Sequence, residues 1–192
     1  MIRITRILFV IAIISVVAMT SHAGATPEEM IQQYFEAFKL GDMQHLASIM
    51  HDDELEKFKK TMLPVIESGV TSTNEGVQSQ RDVFLLKQIT GRDAIETIRE
   101  ESPRYFFVRF MKAVLKMNPT MTTTLSGATI QTLGFITEND MAHVVYRMSL
   151  DVMGAKMTQM NLMSVKQQGD EWRLMLTGEV EGMSKLLEMR IK

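Results

Sequence analysis

The amino-acid sequence predicts an α+β fold in which N-terminal helices pack on a curved, four-stranded antiparallel sheet. Apolar residues recur at helical spacing between about residues 27 and 118, and they alternate with polar residues from about residue 128 to 178. Short segments rich in Gly, Asn and Asp separate the alternating runs, which is typical of hairpins. These patterns together predict helices first and a sheet second, within one domain that covers residues 26–192.

The N-terminal segment, residues 1–25, has the three parts of a secretory signal peptide. Arg3 and Arg6 form a basic start, an apolar run covers residues 7–19, and residues 23–25 supply the small side chains of a cleavage site. The apolar run is shorter than the roughly 20 residues that span a bilayer as a helix. We therefore expect cleavage before Thr26, export to the periplasm or the extracellular space, and no stable membrane anchor afterwards.

Composition narrows the classes of function. The chain carries 21 basic and 23 acidic residues, and loss of the two arginines of the signal segment leaves 19 − 23, a net charge of −4. A negative charge argues against nucleic acid as a partner. The sequence contains no cysteine, which excludes disulfides, a thiol nucleophile and Cys-ligated metals, so the exported domain must be held by its core alone.

Methionine is enriched, with 18 residues in the chain, and thioethers can bind soft metals such as Cu(I). Met153, Met157, Met160 and Met163 are spaced closely enough to look like a ligand group. In an alternating strand, however, Met157 and Met163 lie on one face and Met160 on the other, so these thioethers do not converge. Methionine is therefore expected to fill the core, and no metal or other cofactor is predicted.

The first predicted helix begins with a capping box at residues 26–29. Thr26 can accept a hydrogen bond from the backbone of Glu29, Glu29 can reach back, and Pro27 loses no needed hydrogen bond at the first helical position. Gly41 suits the left-handed conformation that ends such a helix. The face expected to be buried consists of Ile31, Tyr34, Phe35 and Phe38.

Two more helices are predicted directly afterwards. Asp42 can cap a short second helix. Its buried side is expected to consist of Leu46, Ile49 and Met50. A third helix is predicted from about Asp53 to Ser68–Gly69, with a kink or an early end at Pro64. Residues 68–79 are rich in Gly, Ser, Thr and Asn, which predicts a mobile loop open to proteolysis.

Three further helical segments are predicted before the sheet, at residues 84–89, 93–98 and 103–117. Ser102 can cap the last of them, and Pro103 suits its first position. Asn118–Pro119 should stop that helix, because proline cannot continue it.

The clearest predicted strand covers residues 143–152. One face carries the apolar side chains of Val144, Tyr146, Met148, Leu150 and Val152. The other face carries His143, Arg147, Ser149 and Asp151. This alternation is typical of a sheet that packs against a core on one side only.

Turn residues at 138–140, 154–155 and 169–170 divide the C-terminal half into four short runs. Such spacing predicts a simple antiparallel meander. The last strand should bury Trp172, Leu174 and Leu176. The tail after Gly178 fits either a short helix or an edge segment.

Two segments resemble the NTF2-like superfamily. The run from Tyr34 to Leu46, YFEAFKLGDMQHL, is similar to the opening of that fold, where an amphipathic helix, a Gly-Asp break and a second short helix precede a curved sheet. The run from Gly169 to Leu174, GDEWRL, is similar to its last hairpin. The resemblance implies a ketosteroid-isomerase-like cone with an apolar pocket. Members of this fold include isomerases, cyclases, hydratases and non-catalytic proteins, so the resemblance implies a fold rather than a reaction.

Two groups of side chains are candidates for binding. Inside the expected cone, a ligand pocket would be lined by Tyr34, Phe38, Tyr146, Met148 and Trp172. Its tyrosines either direct hydroxyl groups towards a ligand or serve as core aromatics with a satisfied polar tip. On the opposite face of the sheet, His143, Arg147 and Asp151 form either a solvated surface or a contact between copies of the chain.

The sequence contains no recognisable catalytic set: it has no phosphate-binding glycine loop, no Gly-x-Ser-x-Gly motif and no His-Glu-x-x-His motif. We therefore expect an exported, non-enzymatic domain that binds a small apolar molecule or a protein partner. The alternative is a cone-pocket isomerase or hydratase, which needs a carboxyl group of raised pKa inside the pocket. A third hypothesis is an assembly role through a homodimer of open sheet faces.

Overall fold

The computed structural model describes residues 24–74, 86–91, 93–152, 154–176, 180, 182 and 184–185. The helices are α1 (Pro27–Leu40), α2 (Met43–Ser48), α3 (Asp52–Asn74), α4 (Ile95–Glu100), α5 (Pro103–Met117) and α6 (Pro119–Ser126). The strands are β1 (Thr129–Glu138), β2 (Met141–Val152), β3 (Ala155–Gln168) and β4 (Glu171–Leu174). Residues 86–90 and the described positions of the C-terminal tail are also helical. The predicted α+β class, with helices before a four-stranded antiparallel sheet, is confirmed.

The first helix begins and ends as predicted. The backbone N–H of Thr26 donates to Glu29 Oε2 over 2.8 Å, and Thr26 Oγ1 accepts from the backbone N–H of Glu29 over 3.3 Å, so both halves of the capping box form. Gly41 ends α1 with a φ of 66°. The carboxylate of Asp42 then accepts from the backbone N–H of His45 over 2.9 Å, which caps α2.

The sheet is a curved antiparallel meander in the order β1-β2-β3-β4, as predicted. β2 and β3 pair from Met141 opposite Lys166 to Val152 opposite Ala155. Helix α1 packs against one face of the sheet and contacts all four strands. On that face Val144 and Tyr146 of β2 are buried in the hydrophobic core. The sheet and α1 therefore enclose one side of the core.

The other side of the core is formed by α2, α3 and α5, since α5 contacts both α2 and α3. Phe58 of α3 lies at its centre. The Phe58 ring lies 6.0 Å from that of Phe106, 5.1 Å from that of Phe107 and 5.2 Å from that of Phe110, measured between centroids. These tilted and edge-to-face contacts hold the long helices α3 and α5 together.

The segment that follows α2 extends the sheet at its β4 edge. Met50 forms a parallel bridge with Leu174. The backbone N–H of His51 donates to the carbonyl of Leu174, and the N–H of Leu174 donates to the carbonyl of Ile49, each over 2.9 Å. This connection fixes the start of α3 against the sheet.

The predicted end of the third helix is wrong. α3 continues through Pro64 and past Ser68–Gly69 to Asn74, so the loop predicted from residue 68 is helical as far as residue 74, and residues 75–79 lie outside the described part of the chain. Val65 and Ile66 are buried and Val70 packs against the core. Their packing outweighs the hydrogen bond that proline cannot make and the low helix propensity of glycine.

Other boundaries also differ from the prediction. The helix expected at residues 93–98 runs from Ile95 to Glu100, and the carboxylate of Asp93, before the helix, binds the guanidinium of Arg109 over 2.7 Å. Helix α5 has the predicted bounds and the predicted Ser102 cap. Pro119 ends it but also begins α6, a helix that the threonine-rich sequence does not predict. Of the segment expected at residues 84–89, residues 86–89 are helical and residues 84–85 lie outside the described ranges.

Candidate functional site

Two apolar cavities lie beside α1. The larger cavity, of about 260 Å³, lies among the helices and is lined by Tyr34, Phe38, Leu46, Met50, Phe58, Phe107, Met111, Val114, Leu176 and Val180. The smaller cavity, of about 180 Å³, lies against the sheet and is lined by Tyr34, Phe35, Phe38, Leu125, Tyr146, Met148, Asn161 and Met163. Ligand pockets commonly measure roughly 300–1,000 Å³. Each cavity is below that range, and the two together fall within it.

Tyr34 and Phe38 line both cavities and therefore lie between them. Their ring centroids are 4.9 Å apart. Tyr34 also makes an edge-on contact with Phe35, at 5.1 Å, and Phe35 makes one with Tyr146, at 5.4 Å. The helical spacing of α1 creates this partition, because positions 34, 35 and 38 lie on one face of the helix.

Four of the five side chains predicted to form the pocket meet in the structure. Tyr34, Phe38, Tyr146 and Met148 all line the smaller cavity. Trp172 lines neither cavity. It lies on β4, opposite Gln167, and packs half-buried against another part of the core.

Sequence reasoning missed Asn161, a polar side chain in the wall of the smaller cavity. It lies on β3 directly opposite Tyr146 of β2, so its side chain shares the core-facing side of the sheet. Its amide nitrogen, Nδ2, is buried and has no hydrogen-bond partner among the described residues. A buried amide N–H without a partner is unfavourable by about 1–3 kcal/mol.

Exposure decreases steadily along the core-facing row of β3. Met157 and Gln159 are exposed, Asn161 and Met163 are half-buried, and Val165 is fully buried. The paired positions of β2 follow the same order, from half-buried Leu150 to fully buried Val144. On the sheet side, the wall of the smaller cavity therefore becomes more buried from Asn161 towards Met163.

The chemistry of the two cavity walls is apolar, with few polar groups. Among the described residues that line them there is no Asp, Glu, His, Lys or Arg. Glu54 is buried, with 8% of its surface exposed, but it lies outside both walls, and its Oε2 accepts from the backbone N–H of Leu176 over 3.2 Å. This carboxylate holds the chain after β4 in place.

The polar group predicted on the outer sheet face is divided among different partners. His143 Nδ1 lies 2.8 Å from the hydroxyl of Ser164. Arg147 Nη1 donates to Gln131 Oε1 over 3.4 Å. The carboxylate of Asp151 accepts from the backbone N–H of Gly154 over 2.9 Å, within the β2–β3 turn. The three side chains share a face, but they do not converge on one point.

Apolar side chains are exposed on the same outer face. Ile136 of β1 is 69% exposed, and Met160 and Leu162 of β3 are 62% and 60% exposed. Leu162 is paired with Val145 and Met160 with Arg147. We call Ile136, Val145, Met160 and Leu162 the outer apolar strip.

The methionines of β3 do not form a ligand group. Strand pairing places Met157 and Met163 opposite the core-facing residues Leu150 and Val144, and Met160 opposite Arg147 on the outer face. Met153 lies outside the described residues. In the described part of the chain, no three His, Asp or Glu side chains are grouped so that they could hold a metal ion.

No family model, curated protein or solved structure matches the chain. Function therefore has to be inferred from the geometry of the cavities and of the sheet. Within the described ranges, no helix combines the length and the apolar character needed to cross a membrane.

Proposed function

We propose that this protein binds a small apolar molecule and that it does so without catalysing a reaction. The observation that carries the proposal is the pair of adjoining apolar cavities in the core. Protein interiors are normally packed as closely as organic crystals. Both cavities are partly open to solvent, and apolar surface left in contact with water is unfavourable by roughly 25 cal/mol for each Å², so an apolar occupant would stabilise the protein.

Binding is favoured over catalysis by the side chains in the walls. An isomerase or hydratase needs a general acid or base within hydrogen-bond reach of its substrate. The described residues that line the cavities provide tyrosines and one amide but no carboxylate or imidazole. Glu54 is a buried carboxylate, but it lies outside the cavity walls, where it accepts a hydrogen bond from the backbone N–H of Leu176.

The proposal includes the NTF2-like cone and export through a cleaved signal peptide. The order of helices and the curved meander support the cone, and the pattern of residues 1–25 supports export. An exported binding protein would carry its ligand in the envelope or outside the cell.

The proposal is tested by recovering the protein from cells that express the full chain and measuring its mass under native conditions. Denaturation should release a small apolar molecule. In the variant V114F a phenyl ring fills the larger cavity, and the released amount should fall at least tenfold while the thermal midpoint rises or stays the same. The control L40F adds the same ring to α1 at a side chain that is 79% exposed, and it should retain the ligand.

An occupant that was lost during purification can be replaced by a fluorescent probe. The fluorescence of N-phenyl-1-naphthylamine should increase when the dye is mixed with the unmodified protein or the L40F variant. It should stay low with the V114F variant, because the larger cavity is filled. Protein that is recovered empty and does not bind this probe would contradict the proposed function.

A second candidate function is assembly, and the observation that favours it is the outer apolar strip. Contiguous exposed apolar surface is characteristic of contact sites. The occupant that we propose is a second copy of the chain, because Arg147 and Asp151 place opposite charges on this same exposed face. Two copies related by a two-fold axis would present the strip to itself and could pair these charges.

Sedimentation tests the assembly proposal. The unmodified protein should sediment as a dimer at micromolar concentration, and both L162E and R147E should sediment as monomers with unchanged thermal midpoints. A matched control is Q32E, which adds the same charge at an exposed position of α1, on the other side of the sheet. A monomeric unmodified protein would remove this candidate without affecting the ligand proposal.

A further inference from the structure

We infer that the bound molecule is amphipathic, with one uncharged carbonyl group that accepts a hydrogen bond from Asn161 Nδ2 and an apolar tail that extends inward past Phe38. This inference rests on the proposed function and specifies the class of ligand. It names Asn161 as the residue that determines specificity.

The side chain of Asn161 carries an unpaired hydrogen-bond donor. Asn161 Nδ2 is a buried polar atom without a hydrogen-bond partner among the described residues, and its side chain lies in the wall of the smaller cavity. Buried polar groups in native proteins are nearly always paired. The nitrogen itself has almost no accessible surface, so a turn of the amide about χ2 would bring it to the cavity, where an acceptor atom on a ligand would supply the missing partner.

The described residues of the cavity walls offer no positive charge to an anionic ligand. The described residues that line the two cavities include no Lys, Arg or His. A carboxylate or phosphate moved from water into this environment would lose its hydration with no cation to offset the loss. The acceptor is therefore expected to be neutral, as in a ketone, an ester or an amide.

The direction in which the ligand lies follows from the burial of the residues along β3. Along β3 the core-facing row is exposed at Met157 and buried at Val165, and Asn161 lies between them. Met163 is the next core-facing residue of β3 towards the buried end, and Phe38 borders both this cavity and the larger one. A carbonyl at Asn161 thus leaves an apolar tail in contact with apolar side chains on its inward path.

The test uses two probes of nearly equal shape. In 2-undecanone a carbonyl oxygen stands where 2-methyl-1-undecene has a CH₂ group, so the ketone can accept a hydrogen bond and the alkene cannot. Each is titrated against N-phenyl-1-naphthylamine bound to the protein that is recovered from cells expressing the full chain and is then stripped of lipid. We expect the ketone to displace the dye with an affinity about tenfold higher than that of the alkene, which corresponds to one hydrogen bond in a water-poor site.

Substitutions at Asn161 should remove the preference. N161L replaces the amide with an apolar side chain of similar size, so the ketone would lose its hydration without gaining a hydrogen bond, and the alkene should now bind at least as tightly as the ketone. The empty N161L protein should be no less stable than the unmodified protein. N161D presents carboxyl oxygens where the amide donates, so the ketone should lose more affinity than the alkene. The control Q159L changes an exposed amide on the same strand face, and the preference should persist.

The outcomes separate the two proposals. If the unmodified protein binds the ketone and the alkene equally, the inference about Asn161 is wrong while the proposed function stands. If the preference survives in N161L, another donor makes the contact and the inference is again wrong. If neither probe displaces the dye and the dye itself does not bind, the proposed function fails.

Discussion

Asp52 connects three elements through one carboxylate. Its Oδ1 accepts from Arg104 Nη2 over 2.9 Å, and its Oδ2 accepts from the side-chain amide of Gln168. Its backbone N–H donates to the Oε1 of the same glutamine over 3.1 Å. The first residue of α3 is thereby tied to the last residue of β3 and to the start of α5.

These contacts make stability depend on pH. The hydrogen bond from Gln168 and, more weakly, the charge of Arg104 lower the pKa of Asp52 below its ordinary value of 3.8. A carboxyl group with a lowered pKa contributes its full stabilisation above pH 3.8, and this is lost as the pH falls below 3.8 through the pKa of the folded state. D52N should therefore lower the free energy of unfolding near pH 7 by about 0.5–1 kcal/mol, and by less at pH 3.

Urea unfolding at pH 7, 5 and 3 measures this difference. The control D53N removes the same charge from the same turn of α3, where Asp53 is exposed and its carboxylate lies 3.6 Å from Nδ1 of His51. If D52N and D53N changed the unfolding free energy equally at each pH, the contacts of Asp52 would contribute nothing beyond its charge at the helix start.

At the scale of single residues, the sequence predicts side chains that follow a regular period. Tyr34 and Phe38 share a helix face, and Tyr146 and Met148 share a strand face, so all four meet where those faces pack. Asn161 could be found only from the register, because a polar residue on an apolar face has no signal of its own until Tyr146 is known to lie opposite it.

At the scale of elements, capping residues decide where several helices begin. Ser102 accepts a hydrogen bond from the backbone N–H of Tyr105 over 3.3 Å at the start of α5. Ala94 occupies the same position at the start of α4 with the same extended backbone but no side-chain cap. The two helices are a matched pair, one capped and one not.

Substitutions at these two caps should change stability in opposite directions. S102A should lower the free energy of unfolding by about 1 kcal/mol, since the first turn of α5 loses an acceptor for a free N–H group. A94S should raise it, by up to about 1 kcal/mol, because Ala94 is exposed and a serine hydroxyl can reach the first turn of α4. Urea unfolding of both variants gives the comparison, and a loss of stability in A94S would show that this helix start cannot use a cap.

Element boundaries follow the sequence where a cap or a turn residue fixes them. The bounds of α5 and the turn at Gly41 are of this kind. The end of α3 could not be predicted, because Gly69 and Pro64 are unfavourable in an isolated helix and only the packing of Val65, Ile66 and Val70 compensates. Tertiary contacts of this kind have no local signature in the sequence.

At the scale of the whole molecule, the helical layer and the sheet depend on each other because α1 contacts every strand. The order of helices and hairpins was predictable, since hydrophobic period and turn chemistry act locally. The cavities were not, because their volume is what remains after α1, α5, α6 and the sheet have packed. The resemblance to a cone fold implies a pocket. The division of this space into two cavities follows from the positions of Tyr34 and Phe38.

The predicted cleavage site lies directly before the folded domain. Helix α1 starts at Pro27, directly after the predicted cleavage site, and the backbone nitrogen of Thr26 donates to Glu29 Oε2 over 2.8 Å. Cleavage after Ala25 would convert this nitrogen into an ammonium group that can still donate to the same carboxylate, now with opposite charge. The capping box can therefore survive processing.

Expression of the full chain in a Gram-negative host should yield a protein in the periplasmic fraction whose N-terminal residue is Thr26, as measured by intact mass. The variant A25Q places a long polar side chain at the cleavage position, so it should accumulate as the longer precursor. The control is T26S, since serine keeps both the small size and the capping hydroxyl of Thr26 and should leave processing unchanged. Recovery of the uncleaved chain from the cytoplasmic fraction would contradict export, and an N-terminus inside α1 would contradict the proposed boundary.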